Sequence, residues 1–272
     1  MPSLFLTPDL SSDLLVLPEE ESKHCVKVLR MRSGAPLMLT DGLGTLCHAQ
    51  VLQADPKGCT VTITQRIPNY GRRNHHLHIA VAPTKNNERL EWFVEKAVEI
   101  GIDVITPLIC DHSERRVLKT DRLEKIIDSA MKQSLKAYRP TLNQPTPFKT
   151  FIENLSSYPT SNSSLSEKTV TPDQTDPLRL ICYCDGDRKS LHDLYRPGQS
   201  AIVLIGPEGD FSPEEIHLAL SNDFHPVTLG PCRLRTETAA LYATTAISEI
   251  KSISSGYFFS LIKIVSSEIS TP

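Results

Sequence analysis

The chain has 272 residues and a formal net charge of −3, with 39% hydrophobic and 22% charged residues. This length allows two domains and a sizeable buried core, and the composition is that of an ordinary soluble protein. No uninterrupted apolar stretch is long enough to predict a membrane span. The total charge alone does not indicate a nucleic-acid-binding protein.

Cysteine and histidine content argues against disulfide and metal sites. The seven cysteines include no C-x-x-C pair, which is unlike a disulfide framework or a zinc ribbon. Cys182 and Cys184 fall on one face of a predicted strand, and we interpret them as small buried residues. His75, His76 and His78 lie in a predicted linker without a partner cluster, so no metal is expected. The N-terminus lacks the features of a signal peptide, which predicts a cytoplasmic protein.

Basic residues are concentrated in two segments. Lys23, Lys27, Arg30 and Arg32 occur within ten residues without an acid, and residues 112–139 contain eight Lys or Arg against four Asp or Glu. Locally basic surfaces on an acidic chain are typical of a protein that contacts RNA at defined places. For either segment alone, a solvated helix surface is the competing interpretation.

Residues 1–70 are predicted to form a small, mostly β domain. Glu20 to Met31 has apolar residues at helical spacing, and the period then changes to the alternation of strands. Strands are predicted over 35–40, 45–52 and 59–67, with a tight turn at Asp41-Gly-Leu-Gly. Closing these strands into a barrel would remove their exposed edges.

A polar, turn-rich segment at 68–75 predicts a domain boundary, after which strands and helices alternate. The predicted elements are a strand at Leu77 to Pro83, a helix at Glu88 to Ile100 that ends at Gly101, a strand at 104–109, and a long helix that Thr120 caps and that extends to Tyr138. The alternation predicts an α/β domain with a mostly parallel sheet.

Residues 154–177 are rich in Ser, Thr and Pro without an apolar period, which predicts a mobile insertion without chemistry of its own. A strand is expected to resume at Leu178 to Asp185. Residues 253–272 form a C-terminal extension that includes Tyr257-Phe-Phe-Ser-Leu-Ile. Packing on a dimer and simple capping of the preceding helix are both compatible with that extension.

The densest pattern begins with Ala201 to Ile205, five apolar residues that predict a buried strand. Gly206-Pro-Glu-Gly209 follows as a turn in which backbone groups can approach a ligand. Ser212, Pro213 and Glu215 then have the pattern of a capping box at a helix start. The order is strand, glycine turn, helix.

A second unit of the same kind follows. Pro226 to Gly230 predicts a short strand, and Thr236 precedes a run from Ala239 to Ile250 that predicts a helix. The loop between them carries Arg233 and Arg235. Neither glycine turn has the Lys-Ser/Thr pair of a P-loop or the G-x-G-x-x-G of a dinucleotide fold. A ligand loop and plain turn chemistry are about equally compatible with the residues alone.

Ile205-Gly-Pro-Glu-Gly with Phe-Ser-x-x-Glu, followed by Leu-Gly-x-x-x-Leu-Arg-Thr-Glu-Thr-Ala, closely resembles the motif pair of the RsmE family. These SPOUT-superfamily enzymes methylate N3 of one uridine in 16S ribosomal RNA. The resemblance implies a C-terminal SPOUT domain at 74–252 with a trefoil knot, bound S-adenosylmethionine (SAM) and a homodimer with active sites at its interface. It also implies that residues 1–70 are a PUA-like RNA-binding barrel, which His24-x-x-x-Val-Leu-Arg30 supports, and that the partner is the 30S subunit.

The resemblance assigns residues by motif. The expected cofactor contacts are Leu204, Ile205, Gly206, Pro207, Glu208, Gly209, Leu229, Gly230, Leu234 and Thr236. The expected RNA contacts are Lys23, Arg30, Arg32, Lys85, Arg115, Arg116 and Gln133, the last from a Gln-Ser pair that the family shares. The family commonly has glycine where this chain has Asp210, and Asp tolerates a positive φ better than most residues.

Methylation of N3 requires loss of its proton and stabilisation of the charge that spreads onto O2 and O4. Arginine suits the second role because it stays charged and offers a planar fork of donors. Arg235 is the first catalytic candidate and Arg233 the second. Glu237 is a candidate base, although a carboxylate at a helix start also stabilises the helix dipole. Glu208 either orders the cofactor loop or contacts the methionine amine.

Three other functions are compatible with parts of the pattern. A SPOUT methyltransferase could act on a ribose 2′-hydroxyl or on transfer RNA, and the Leu-Arg-Thr-Glu-Thr-Ala segment argues for the uridine enzyme instead. A non-catalytic RNA-binding ribosome assembly factor is the alternative from a different class. A nucleotide hydrolase is disfavoured because the phosphate-binding Lys is missing.

Overall fold

The computed structural model describes residues 3–156 and 176–249. Its strands are β1 (Leu4–Leu6), β2 (Leu14–Val16), β3 (Pro36–Thr40), β4 (Leu46–Gln53), β5 (Thr60–Ile67), β6 (Leu77–Val81), β7 (Val104–Ile109), β8 (Thr141–Leu142), β9 (Thr146–Pro147), β10 (Leu178–Cys182), β11 (Lys189–Ser190), β12 (Ala201–Ile205) and β13 (His225–Thr228). Its α-helices are α1 (Glu19–Lys23), α2 (Asn87–Ile100), α3 (Asp121–Gln133), α4 (Phe148–Ser156), α5 (Leu191–Leu194), α6 (Pro213–Leu220) and α7 (Thr236–Glu249). None of these helices combines the length and the apolar character that crossing a bilayer requires.

The described chain forms two compact units. The first contains the residues up to Arg73 together with Lys119–Leu142, and the second contains Asn74–Leu118 and the residues from Asn143 onward. Helix α3 therefore groups with the N-terminal strands, although it follows β7 in the chain. Ala137, just after α3, is buried with Leu4, Met38 and Leu46 in one apolar cluster, which accounts for this grouping.

The first unit is built on a five-stranded sheet in the order β1-β3-β4-β5-β2. The β1–β3 pair is parallel, and the other pairs are antiparallel. Register shifts between β4 and β5 bend the sheet, as bulges do. Its strands surround one apolar core, whose buried members include Phe5, Leu37, Leu39, Cys47, Val51 and Val61.

The helix predicted over Glu20 to Met31 is shorter than expected. Helix α1 ends at Lys23, and His24–Val28 forms a π-helical turn in which Leu29 N donates to His24 O at 3.0 Å. Arg30 then has a φ of 54°, which a continuing helix cannot accommodate. The prediction was correct in placing a helix and wrong at its C-terminal end.

The second unit confirms the predicted α/β architecture. Six of its strands run in the order β11-β13-β10-β12-β6-β7, and every pair among them is parallel. Strand β9 adds a further parallel pair on β7. Helices α2 and α7 pack together on one face of the sheet, and α4 and α6 pack over a buried cluster on the other.

Further element boundaries differ from the predictions. Helix α3 ends at Gln133 and does not reach Tyr138, because Leu135 has a φ of 55°. Thr120 forms no side-chain cap hydrogen bond at its start. Helix α4 covers the first three residues of the predicted insertion 154–177, of which residues 157–175 lie outside the described residues. The predicted extension 253–272 also lies outside them.

Candidate functional site

The carboxyl ends of β10, β12 and β13 meet at one edge of the parallel sheet of the second unit. The loops that leave these strands line a cavity of about 330 Å³. The lining residues come from four segments: 182–184 with Arg188, 205–208 with Asp210, 227–230, and 232–236 with Ala239. Crevices beyond the carboxyl ends of parallel strands are the usual ligand sites of open α/β sheets.

The glycine turn after β12 is fixed by neighbouring segments. Gly206 O accepts a hydrogen bond from Thr236 Oγ1 at 3.0 Å, and Glu208 Oε1 accepts one from Lys85 N at 3.2 Å. A Cβ on Gly206 would lie 3.1 Å from the Phe211 ring, and one on Gly209 would lie 3.1 Å from His112 Cβ. A side chain at either glycine would therefore be tight against its protein neighbour, in addition to any hindrance to the approach of a ligand.

Asp210 adopts a φ of 64°, so the position requires the positive φ that the sequence led us to consider. Its Oδ1 accepts a hydrogen bond from Phe211 N at 2.9 Å. Its Oδ2 accepts one from Cys184 N at 2.8 Å. The carboxylate thus connects the glycine turn with the loop that follows β10.

Helix α6 begins with the predicted capping box, which the structure confirms. Ser212 Oγ accepts from Glu215 N at 3.3 Å, and Glu215 Oε2 accepts from Ser212 N at 2.9 Å. The box also holds Asp111, because Asp111 N donates to Glu215 Oε1 at 3.0 Å and Ser212 Oγ donates to Asp111 Oδ2 at 2.8 Å. The start of α6 is therefore fixed to the loop after β7.

His112 adds a second connection between the β7 loop and the glycine turn. Its Nδ1 lies 3.1 Å from the carbonyl oxygens of both Gly209 and Asp210. Because carbonyl oxygens only accept, this geometry places the proton of the imidazole on Nδ1. Arg116 Nη2 donates to Asp111 O at 2.8 Å and stabilises the same loop.

The loop between β13 and α7 carries the two arginines. Thr228 Oγ1 donates to Gly230 O at 3.0 Å and shapes the first turn of this loop. The side chains of Arg233 and Arg235 line the cavity, are exposed, and form no hydrogen bond or ion pair within the described part of the chain. Two cationic groups are thus available to a ligand at this wall.

Cys182, Cys184 and Cys232 also line the cavity. The interpretation of Cys182 and Cys184 as buried residues was wrong: Cys182 is only half-buried, and Cys184 is exposed because β10 ends at Cys182. Burial raises the pKa of Cys182 to about 12. Partial burial, followed by the charge of Asp210 and its hydrogen bond, raises the pKa of Cys184. Both groups therefore favour the neutral thiol at physiological pH.

Eight of the ten predicted cofactor residues line the cavity, and two do not. Leu204 is fully buried on the opposite face of β12, because successive side chains of a strand alternate between its faces and Ile205 faces the cavity. Gly209 packs on His112. Of the catalytic candidates, Arg233 and Arg235 line the cavity. Glu237 does not.

Glu237 lies in the first turn of α7 and is 7% exposed. Its Oε1 is 3.8 Å from Arg89 Nε, and its Oε2 has no hydrogen-bond partner among the described residues. Thr236, which we expected before the helix, is the first residue of α7 and donates to Gly206 O. The carboxylate is thus directed toward α2.

The predicted RNA-contacting residues are divided between the two units. In the first unit, Lys23, Arg30, Arg32 and Gln133 are exposed, and Lys23 also pairs with Glu19 at 2.6 Å. In the second unit, three predicted residues interact with nearby protein groups: Lys85 Nζ with Glu114 at 2.9 Å, Arg115 Nη2 with Lys85 O at 2.9 Å, and Arg116 with Asp111 O.

The loop after β10 is the part of the cavity that sequence reasoning missed. It contributes Tyr183, Cys184 and Arg188, and the β13 strand adds Val227 and Thr228. A signal was present, because a third buried parallel strand must end at the same edge of the sheet as its neighbours. Within the described ranges, no group of three or more His, Cys, Asp or Glu side chains is arranged to hold a metal ion.

Comparison with known families gives two matches. Residues 72–248 match the model described as an RNA methyltransferase domain. Residues 17–64 match the model described as an RNA methyltransferase PUA domain. Together these ranges cover the cavity and most of the N-terminal sheet.

Individual relatives match over almost the whole chain. The ribosomal RNA small subunit methyltransferase E of Buchnera aphidicola is 26% identical over 254 residues, which are 91% of this chain and 92% of that protein. A solved structure from Porphyromonas gingivalis, assigned as an rRNA methyltransferase, is 42% identical with a TM-score of 0.79 and covers 92% of this chain and 99% of that one. A Legionella pneumophila structure that contains the cofactor SAM is 28% identical with a TM-score of 0.77, covering 92% and 98%.

Proposed function

The chain belongs to the RsmE family of RNA methyltransferases, and from this premise we propose that it transfers a methyl group from SAM to N3 of a uridine in 16S ribosomal RNA. The observation that carries the proposal is the cavity at the carboxyl ends of β10, β12 and β13, which both sequence motifs line. Arg233 and Arg235 from the second motif lie in its wall. The motifs thus provide one shared site rather than two separate turns.

The residues of the cavity fit SAM in size and in chemistry. A volume of about 330 Å³ is within the range of small-molecule sites. Apolar side chains suited to a nucleoside lie beside backbone groups of the turns: Ile205, Val227, Leu229, Leu234 and Ala239. The lining also contains a carboxylate and a guanidinium group for the charged methionine end, those of Glu208 and Arg188. When bound, SAM supplies an electrophilic methyl group.

We assign the stabilisation of the uridine anion to Arg235, with Arg233 as the second candidate. Loss of the N3 proton leaves negative charge on O2 and O4 of the base, and a guanidinium remains charged at any relevant pH. Arg235 directly precedes α7, and its carbonyl accepts a hydrogen bond from Ala239 N at 2.8 Å. The helix thereby fixes the backbone from which the side chain extends into the cavity.

Glu237 was a candidate base, and its position supports a structural role better. The carboxylate is buried against α2 and lies outside the cavity lining, so it has no direct path to a substrate nitrogen there. At the start of α7, its charge instead interacts favourably with the helix dipole. Glu208 similarly orders the glycine turn through Lys85 N.

For the larger assembly, we propose that the substrate is the 30S subunit and that the protein acts as a homodimer in the cytoplasm. Arg30 and Arg32 of the first unit are exposed and positioned to contact phosphates without competing acids in their segment. Sedimentation of the purified protein tests the dimer. A monomer at micromolar concentration would contradict it.

The proposed reaction is tested by incubating the protein with labelled SAM and 30S subunits that lack their native uridine methylation, followed by nucleoside analysis. We expect labelled 3-methyluridine. Label in a ribose 2′-O-methyl nucleoside, or in transfer RNA offered in parallel, would favour the alternative SPOUT substrates. SAM binding without transfer to any RNA would favour a non-catalytic assembly factor.

The cofactor site itself is tested by thiol footprinting. Cys184 and Cys232 line the cavity and are exposed, whereas Cys25, Cys47 and Cys59 are buried in the first unit. Saturating SAM should slow alkylation of the first two cysteines by about tenfold or more, because a SAM concentration well above the dissociation constant leaves few sites unoccupied. The buried cysteines serve as internal controls. Unchanged alkylation at Cys184 and Cys232 despite saturating SAM would place the cofactor elsewhere.

A further inference from the structure

Asp210 has two structural roles that a glycine at the same position could not combine. Its backbone takes a φ of 64°, and its two carboxylate oxygens accept hydrogen bonds from different loops. Oδ1 accepts from the adjacent Phe211 N at 2.9 Å, and Oδ2 accepts from Cys184 N at 2.8 Å. Glycine supplies the same backbone conformation without an acceptor.

The loop that Asp210 contacts is also held on its other side. Arg188 Nε donates to Gly186 O at 3.3 Å, and Arg188 Nη1 donates to Tyr183 O. The Tyr183–Gly186 loop is therefore held at its carbonyl groups by a guanidinium and at its Cys184 amide by a carboxylate. Asp210, Arg188, Tyr183 and Cys184 all line the cavity.

We propose that Asp210 is a positioning residue, whose carboxylate fixes the wall formed by Tyr183–Gly186 against the wall formed by Gly206–Asp210. The hydrogen bond from Cys184 N to Asp210 Oδ2 joins the two walls and is called the tether below. Hydrogen bonds to an ionised acceptor are roughly twice as strong as neutral ones, so the tether is strong for a single side chain. Its effect on SAM binding rests on the proposed function. The tether itself does not depend on the proposed function, since it joins two protein segments.

Asparagine and glycine at this position separate the two roles of Asp210. Asp210→Gly keeps access to positive φ and removes both acceptors. Asp210→Asn also tolerates positive φ and keeps one oxygen that can accept from Cys184 N, while its amide nitrogen cannot accept from Phe211 N. Asp223 provides a matched control, because it has nearly the same φ, 62°, and lies outside this cavity.

The tether is tested by hydrogen exchange of the Cys184 amide in the cofactor-free protein. We expect Asp210→Gly to accelerate exchange by about tenfold or more, as loss of a hydrogen bond to a charged group predicts. Asp210→Asn should accelerate exchange less than Asp210→Gly does, since it keeps an oxygen that accepts from Cys184 N but is neutral and therefore a weaker acceptor. Asp223→Gly should leave Cys184 exchange unchanged. Unchanged exchange in Asp210→Gly would overturn the proposal.

The effect on the site is tested by calorimetric titration of the same variants with SAM. Asp210→Gly should weaken SAM binding by about tenfold, and Asp210→Asn should recover part of that loss. In turnover, the loss should appear mainly in KM for SAM and little in kcat, since the tether acts before chemistry. Faster Cys184 exchange with unchanged SAM affinity would overturn the positioning role. Failure of the original chain to bind SAM would instead reject the proposed function. Hydrogen exchange of the Cys184 amide would still show whether the tether is present.

Discussion

Arg235 is the residue on which the proposed chemistry depends most directly, because its guanidinium lies in the cavity wall without a competing protein partner among the described residues. We predict that Arg235→Ala lowers kcat for methyl transfer by about 10²- to 10³-fold, as removal of one anion-stabilising donor does in other enzymes. SAM affinity should change by less than about threefold, because the lost interaction is made with the substrate anion.

Single-turnover transfer and SAM titration of Arg235→Ala measure these two quantities separately. Arg196→Ala is the matched control, since Arg196 is exposed in the same unit and does not line the cavity. Weakened SAM binding with unchanged kcat would assign Arg235 to the cofactor and leave Arg233 as the candidate for anion stabilisation.

His78 makes the stability of the protein depend on pH. The ring packs edge-on to Phe151, its Nε2 lies 2.7 Å from Thr106 Oγ1, and burial, followed by the charge of His76, lowers its pKa to about 4. Because the unfolded state binds a proton near pH 6.5, unfolding becomes easier as pH falls below that value. The contribution of the neutral His78 ring to the free energy of unfolding is fully present above pH 6.5 and decreases toward pH 4.

We therefore predict that His78 accounts for a loss of about 2 kcal/mol in the free energy of unfolding between pH 7.5 and pH 5. Urea unfolding at the two pH values measures it, with His78→Gln as the non-titrating comparison. The variant should show a smaller decrease than the original chain. Equal decreases in both proteins would contradict the assignment of this pH dependence to His78.

At the scale of elements, the capping box of α6 connects helix stability with the site. Ser212 caps the helix and also donates to Asp111 in the β7 loop. Ser212→Ala should cost about 1–2 kcal/mol in the free energy of unfolding, as loss of an N-cap does. Ser221→Ala, at the other end of α6, should cost less than about 0.5 kcal/mol, as most exposed substitutions do.

Thermal and urea unfolding of the Ser212→Ala and Ser221→Ala variants check this prediction, and SAM titration extends it. Loss of the Ser212–Asp111 hydrogen bond should loosen the β7 loop, whose His112 contacts the glycine turn, and weaken SAM binding in Ser212→Ala only. A stability loss of equal size in both variants would indicate that the capping box contributes nothing specific.

Elements with a local signal were predictable from the sequence. The apolar run of β12, the Ser-Pro-x-Glu start of α6 and the period of α2 each specify their structure within a few residues. Helix α4 was missed although Phe148, Phe151, Ile152 and Leu155 have helical spacing, because the Ser-rich segment that follows obscured it. The end of α3 was not predictable, because it depends on Leu135 adopting a φ of 55°, which leucine rarely does.

At the scale of the site, the two motifs identified two of the three main loops around the cavity. The third loop, after β10, carries no distinctive residues and is brought there by strand order alone. The hydrogen bond from its Cys184 amide to Asp210 could not be predicted, since an Asp in a glycine turn indicates only that the backbone tolerates a positive φ. The trefoil knot is implied by the family resemblance and stays a prediction.

At the scale of the whole molecule, we expect RNA binding and cofactor binding to be separable. Arg30 and Arg32 are exposed in the first unit, and replacing both with Ala should weaken 30S binding and lower its salt dependence, because fewer phosphate counterions are released. SAM affinity should be unchanged. Lys57→Ala, an exposed charge removed from a turn of the same unit, is the control.

Filter binding to 30S subunits at several salt concentrations measures this effect. If Lys57→Ala weakened binding as much as the Arg30 and Arg32 double variant, the interaction would reflect total charge. A defined RNA surface at Arg30 and Arg32 would then be contradicted.

The most direct test of the central claim is nucleoside analysis of 16S ribosomal RNA from cells in which the gene for this chain is deleted. We predict that 3-methyluridine disappears from 16S ribosomal RNA, and that the original chain restores it while Arg235→Ala does not. Persistence of 3-methyluridine at its normal level in the deletion strain would contradict the proposed function.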